Sequence, residues 1–252
     1  MSTATTHSAS TAILISETRL LLREPGIIFW VIAFPTILLV VLGLIPSFRE
    51  AQGELGGQSV IDLYVPVSIL LGMIMASLQA LPHSLSSYRE RGILRRLRVT
   101  PARPAHLLAA QIAVYAAAST VSAVLVLAIG RLAYGVQLPD QIFGYAVAFA
   151  LALAGALAMG ASLAAIAPTT KATTAISTSV VFPTMFTAGV WIPVQAMPDL
   201  LRTIVAFTPM GAGAEALNTA AVGDLPDIVD LAVVVGWSVV FIALAVRFFR
   251  WE

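Results

Sequence analysis

Apolar residues fall along this chain in long unbroken blocks rather than at the alternating spacing of a soluble fold. Six windows of roughly 20 residues are almost free of charge, which is the length needed to cross a hydrocarbon layer about 30 Å thick at about 1.5 Å per helical residue. They run approximately from Ile27 to Ile45, Leu63 to Leu81, Ala105 to Ile129, Ile142 to Ala167, Thr173 to Val194 and Ile228 to Phe248. No window carries an ionisable side chain near its centre, where one costs about 2.5 to 3.5 kcal/mol to insert. Pro35, Pro66 and Pro183 lie within windows and mark expected kinks, since neighbouring helices can satisfy the carbonyls they free. The pattern predicts an all-α integral membrane protein of six transmembrane helices, forming a single domain over residues 1–252.

The polar stretches between the windows have different characters. Residues 1–10 are a Ser/Thr/Ala tail, expected to be disordered. Residues 11–24 place Leu14, Ile15, Leu21 and Leu22 on one side of a helix and Ser16, Arg19, Arg23 and Glu24 on the other, with Ile13 and Leu20 on the polar side. Pro25 and Gly26 then turn the chain into the first window, which suits a helix lying at the membrane interface. Residues 195–227 are long and fairly apolar but contain Pro209, Gly211, Gly213, Glu215 and Asn218. That composition predicts a re-entrant pair of short helices between helices five and six rather than another crossing.

Charge gives the orientation. With the N-terminus inside, the inner segments hold Arg19, Arg23, Arg89, Arg91, Arg95, Arg96, Arg98, Arg103, Lys171, Arg247 and Arg250, leaving only Arg49, Arg131 and Arg202 outside. Basic residues near span ends are retained in the cytoplasm, so both termini are expected there. A composition of 59% apolar and 11% charged residues fits no soluble class. The net charge of +1 and the lack of a long basic tract give no reason to expect nucleic acid as a partner. The bias to arginine and alanine is of the kind found in GC-rich bacterial genomes, so the expected location is a bacterial cytoplasmic membrane.

The chain shows no sign of chemistry of its own. It has no cysteine, its histidines His7, His83 and His106 are scattered, and no Gly-x-x-x-x-Gly-Lys-Ser/Thr loop is present to hold nucleotide phosphates. No catalytic residue, metal site or cofactor in this chain is expected.

The most informative segment lies in the second inner connection, residues 83–104. It reads Tyr88-Arg89-Glu90-Arg91-Gly92-Ile93-Leu94-Arg95-Arg96-Leu97-Arg98-Val99-Thr100-Pro101. Ile93, Leu94 and Leu97 recur at helical spacing among arginines, and Thr100-Pro101 stops the helix. Charge alone fits a surface helix that docks a partner and an anchor on anionic headgroups equally well. Glu90, crowded by Arg89 and Arg91, is expected to pair with Arg19 or Arg23 of the interfacial helix. Downstream, Gly189-Val190-Trp191-Ile192-Pro193, Met197-Pro198, Thr208-Pro209 and Glu215-Ala216-Leu217-Asn218 form a second pattern.

Glu90-Arg91-Gly92 followed by Leu94, Leu97 and Thr100-Pro101 resembles the signature loop of ABC-2 type transporter permeases, above all their drug-exporting, daunorubicin-resistance-like branch. The downstream pattern resembles that family's end of helix five and its outer segment, except that Gly213 and Asn218 stand where many relatives carry an aromatic residue and an arginine. The resemblance implies that Glu90, Arg91, Gly92, Leu94, Leu97, Thr100 and Pro101 form a coupling element docking on a separate ATP-binding subunit, present in two copies, which would bind the ATP and Mg. It also implies a second permease chain, identical or related, and helices two and five facing a solute cavity. Met73, Met75, Phe182, Met185 and Phe186 are then the candidate solute contacts, because thioethers and aromatic rings adapt to apolar shapes. The stripe Ala148, Ala152, Ala156, Gly160 and Ala164 is expected to serve helix packing, with lining of the transport path as the alternative. The implied function is export of an apolar or amphipathic solute, a drug, antibiotic or lipid. Export of a lipid-linked polysaccharide, or a secondary transporter or channel, remains the alternative.

Overall fold

The computed structural model describes residues 3–51, 53, 57–93 and 104–248, with side chains from residue 11 onward. Leu94, Leu97, Thr100 and Pro101 lie outside the described residues. Among the described residues there are only helices and connections. They are α1 (Thr3–Leu22), α2 (Pro25–Gly43), α3 (Val60–Glu90), α4 (Pro104–Tyr134), α5 (Ile142–Ile166), α6 (Thr170–Thr187), α7 (Asp199–Ala206), α8 (Pro209–Ala221) and α9 (Ile228–Phe248).

Five helices, α2, α3, α4, α5 and α9, are long and apolar enough to cross a membrane, one fewer than the six windows predict. The difference is α6. Only 18 residues long, it spends much of that length on Thr170, Lys171, Thr173, Thr174, Ser177, Thr178 and Ser179. The expected re-entrant segment is a pair of short helices, α7 and α8. Thr208 separates them, accepting from the Gly211 N–H at 3.1 Å as an N-cap, and Pro209 occupies the first turn of α8.

α1 begins at Thr3, within the stretch read as a disordered tail, and ends at Leu22. Its orientation departs in part from the simple amphipathic reading, with Leu21 inward and Ser16, Arg19, Arg23 and Glu24 exposed as expected. Leu14, Ile15 and Leu22 are exposed, while Glu17 is 9% exposed and turned into the bundle with Ile13 and Leu21 beside it. Glu24 leaves helical geometry and Pro25 starts α2, so the chain turns there as its sequence predicts.

α3 forms the axis of the bundle: 89% of its most apolar stretch is buried, against 6% for α9, which packs on α5 and leaves most of its surface free. Both α2 and α3 contain a π-turn, Phe29–Ala33 and Met75–Ala80. In each, a proline follows two residues later, Pro35 and Pro82. Proline cannot donate to the carbonyl four residues back and its ring crowds that carbonyl, and a wider turn relieves both problems. The carbonyls concerned, at Val31 and Leu78, lie inside the π-turns.

The small-residue stripe of α5 is buried throughout, and it packs against α3 and α8. Gly160 shows why small side chains are needed, since a Cβ there would sit 1.9 Å from the Ser77 carbonyl oxygen of the α3 π-turn. Gly43 is confined in the same way by the Tyr134 ring, 2.2 Å from where its Cβ would stand. The Tyr134 hydroxyl donates to Val40 O at 3.0 Å, fastening the end of α4 to the end of α2.

Candidate coupling site

The last turn of α3, which leads toward the segment expected to dock a partner, is bonded to three different parts of the molecule. Tyr88 reaches α1: its hydroxyl lies 3.1 and 3.2 Å from the two oxygens of Glu17 and donates to that carboxylate. Gln111 of α4 donates its Nε2–H to the same carboxylate at 3.3 Å. Burial raises the Glu17 carboxyl above its ordinary value, and the hydrogen bonds from Gln111 and Tyr88 oppose that rise without cancelling it. One carboxylate thus gathers α1, α3 and α4.

Arg89 and Glu90 act on the turn between α5 and α6. Arg89 donates from Nη1 to Ala164 O at 3.3 Å and from Nη2 to Ala167 O, placing a guanidinium on the carbonyl end of α5. Glu90 accepts from the Thr170 backbone N–H and from its hydroxyl, both at 2.7 Å, placing a carboxylate on the amide end of α6. A helix carries partial negative charge at its last carbonyls and partial positive charge at its first amides, so each side chain meets its complement. Thr169 adds the local N-cap, accepting from Ala172 N–H at 3.2 Å. Two adjacent residues of opposite charge therefore clamp one interhelical turn from both sides.

The expected pairing of Glu90 with Arg19 or Arg23 is not what holds it. Its partner is Thr170, and α1 is joined to α3 through Tyr88 and Glu17 instead. The backbone explains the parting of neighbouring side chains, because residues 88, 89 and 90 point about 100° apart around a helix.

Gly92 ends α3. Its N–H donates to Arg89 O at 3.0 Å and its φ of +67° is the left-handed conformation that closes a helix C-terminus. Among the described residues no atom lies within 4 Å of where its Cβ would stand, and the bend itself calls for the glycine. Arg91 is exposed and lines, with Glu17, Glu24, His83 and Tyr88, a crevice of about 720 Å³ between α1 and the ends of α3 and α4.

The candidate solute contacts do not share one surface. Met73, Met75 and Met185 are packed in the core, Phe182 is 56% exposed and Phe186 is half-buried. The exposed face of α6 presents Thr174, Thr178, Ser179 and Phe182. Thr174 and Ser179 donate back to Thr170 O and Ala175 O at 3.0 and 2.9 Å, so their hydroxyl protons are satisfied without water. Among the described residues no group of three or more His, Cys, Asp and Glu could hold a metal ion.

A family model described as ABC-2 type transporter matches residues 9–221, from within α1 to the last residue of α8. The chain belongs to the ABC-2 type transporter family. A comparison with curated proteins gives no match. In ABC-2 transporters the membrane domain is a permease component that normally works with an ATP-binding subunit. The match takes in the whole clamp: Glu17, Tyr88, Arg89, Glu90, Gln111 and Thr170.

Sequence reasoning placed Glu90, Arg91 and Gly92 at this site but missed Glu17, Gln111 and Thr170. A carboxylate at position 17, between Ile13 and Leu21 on one helical face, was the available signal, since an acid in an apolar row needs partners. Nothing comparable marked Gln111 or Thr170.

Proposed function

We propose that this ABC-2 permease is one membrane half of an ATP-driven exporter for an apolar or amphipathic solute, either a drug or antibiotic or a lipid. The observation that carries the reading is the clamp at the end of α3. A loop that docked on an ATPase would move residues 88–92, and through Glu17, the carbonyl end of α5 and Thr170 that displacement would reach α1, α5 and α6 together. On this reading the α1 end of the bundle is cytoplasmic, both termini are inside, and α6 is the sixth crossing of a bacterial plasma membrane.

The hydroxyl-bearing outer face of α6 supports the same reading. It carries no charge beyond Lys171 at its start, yet it is more polar than the free faces of α2 and α9. Such a face suits a solute path shared with a second permease chain better than lipid tails, with Phe182 supplying apolar contact and Phe186 beside it. The buried Met73, Met75 and Met185 would then shape the wall from behind.

Docking itself rests on the loop sequence. Leu94 and Leu97 are proposed as desolvated anchors and Arg95, Arg96 and Arg98 as rim contacts, because buried apolar anchors usually carry more interface energy than solvated charges. The test is to purify the full chain from its native membranes and follow both the co-purifying ATPase and its solute-stimulated activity. Leu97→Asp is expected to lose both, and Arg96→Ala to change them little. Retention of both in Leu97→Asp, with loss in Arg96→Ala, would instead identify the loop as a headgroup anchor.

A further inference from the structure

Ala150, Ala154 and Ala158 lie about 200° around α5 from Ala148, Ala152 and Ala156, the buried small-residue stripe. They form the floor of an open groove of about 530 Å³ between α4 and α9. Leu108 and Ile112 of α4 make one wall, and Ile242 and Val246 of α9 make the other. Every residue that lines it is apolar.

The groove runs along the helices, not across them. From Ala161, near the α1 end of the bundle, to Phe149 the floor extends about 18 Å. One leaflet of hydrocarbon is about 15 Å deep, so the groove begins near an interface and passes the midplane. A volume of about 530 Å³ over that length leaves a mean cross-section of about 30 Å². A helix with its side chains is about 10 Å across, or about 80 Å² in section, so it would bridge the rims and leave the floor bare. A single hydrocarbon chain, whose carbons touch their neighbours at about 4 Å, fills such a section along its whole length. A polar occupant would find no hydrogen-bond partner there. Charge stands at the α1 end: Arg247 follows Val246 directly and is exposed, at the depth where the phosphate layer of a leaflet begins.

We propose that this groove holds one acyl chain of an anionic phospholipid from the leaflet on the α1 side, with Arg247 on its phosphate. The shape of the trough selects the tail, and the guanidinium, which takes a phosphate through paired hydrogen bonds, selects the headgroup. The proposal rests on α4, α5 and α9 crossing a membrane and makes no use of ATP or of transport, so its failure would leave the permease reading standing.

For the test, the full chain is reconstituted in phosphatidylcholine vesicles holding a small fraction of phosphatidylglycerol with a photoactivatable diazirine in its tail, and labelled residues are mapped by peptide mass spectrometry. Label is expected to be severalfold denser on the groove than on Val235 and Val239, exposed residues of α9 outside it. Ala154→Phe, which fills the trough from an exposed position, is expected to remove that excess and leave Val235 and Val239 unchanged. Phosphatidylcholine carrying the same tail is expected to label the groove severalfold less, and Arg247→Gln to make the two lipids equal. Should Ala154→Phe fail to insert, Ala150→Leu, exposed on the same floor, repeats the measurement. Even label over groove and α9 face, or an excess that survives the floor substitution, overturns the proposal. So does a groove labelled less than that face, which would mean that protein covers it. Equal labelling by the two lipids in the unaltered chain overturns the choice of an anionic headgroup.

Discussion

Glu17 is the residue whose chemistry is most exposed to test. Its carboxyl is raised in the folded protein, so it is still protonated there at a pH where the unfolded chain is already ionised. Below the ordinary carboxylate value both states hold the proton, no buried anion has to be desolvated, and the contribution of Glu17 to stability is at its largest. As pH rises through the raised value, the folded state must hold a buried anion, and stability falls. Thermal unfolding of the purified protein is therefore expected to shift downward across that window, and Glu17→Gln, which keeps the shape without the charge, is expected to flatten the profile. Glu90 offers a second test. Glu90→Gln is expected to lower solute stimulation of the assembled transporter severalfold, while Arg19→Ala and Arg23→Ala, which remove no partner of Glu90, leave it near normal. Gly92→Ala places a side chain at positive φ and is expected to cost about 1 to 2 kcal/mol of local stability, read as earlier proteolysis at the loop. The sequence made Glu90, Arg91 and Gly92 legible because their spacing formed a motif. It left Thr170 and Gln111 illegible, because a hydrogen bond across 80 residues leaves no periodic trace in a single chain.

Helices show the reach and the limit of hydropathy. α2, α3, α4, α5 and α9 were readable from unbroken apolar runs, and the α7–α8 pair from Pro209 and the glycines that follow it. α6 was read as a span of the same kind, although its polarity sets it apart. Thr173, Thr174, Ser179 and Thr184 donate to backbone carbonyls one turn back, a local arrangement that a hydropathy average cannot register. Contact is equally hidden in sequence, as two glycines show. Gly160→Ala would drive a Cβ into the Ser77 backbone, and overpacking of that kind typically costs about 1 to 3 kcal/mol. Gly236→Ala in α9 meets nothing within 4 Å and is expected to be neutral or to stabilise by up to about 1 kcal/mol through helix propensity. The yield of folded, monodisperse protein and its melting temperature distinguish the two.

Across the whole molecule, topology can be checked directly, since the chain contains no cysteine to interfere. Cysteines introduced at Ser2 and Arg95 are expected to resist an impermeant reagent in intact cells, and those at Glu54 and Asp224 to react. Labelling at Ser2 and Arg95 would reverse the proposed orientation, and an α6 that failed to cross would leave Lys171 and Trp191 on the same side. The π-turn at Met75–Ala80 has a consequence of its own for such experiments. A π-turn amounts to one residue inserted into an α-helix, and one residue is about 100° of rotation. It therefore sets the phase with which everything after it emerges. Deleting a single residue from Met75–Ala80 would restore a regular ladder and leave every side chain of the clamp chemically intact. It would also swing Tyr88 off Glu17, Arg89 off the α5 carbonyls and Glu90 off Thr170 in one step. The link between loop and bundle is thus keyed by helical phase as well as by charge, and a permease with its whole clamp present could be silenced by being one residue short.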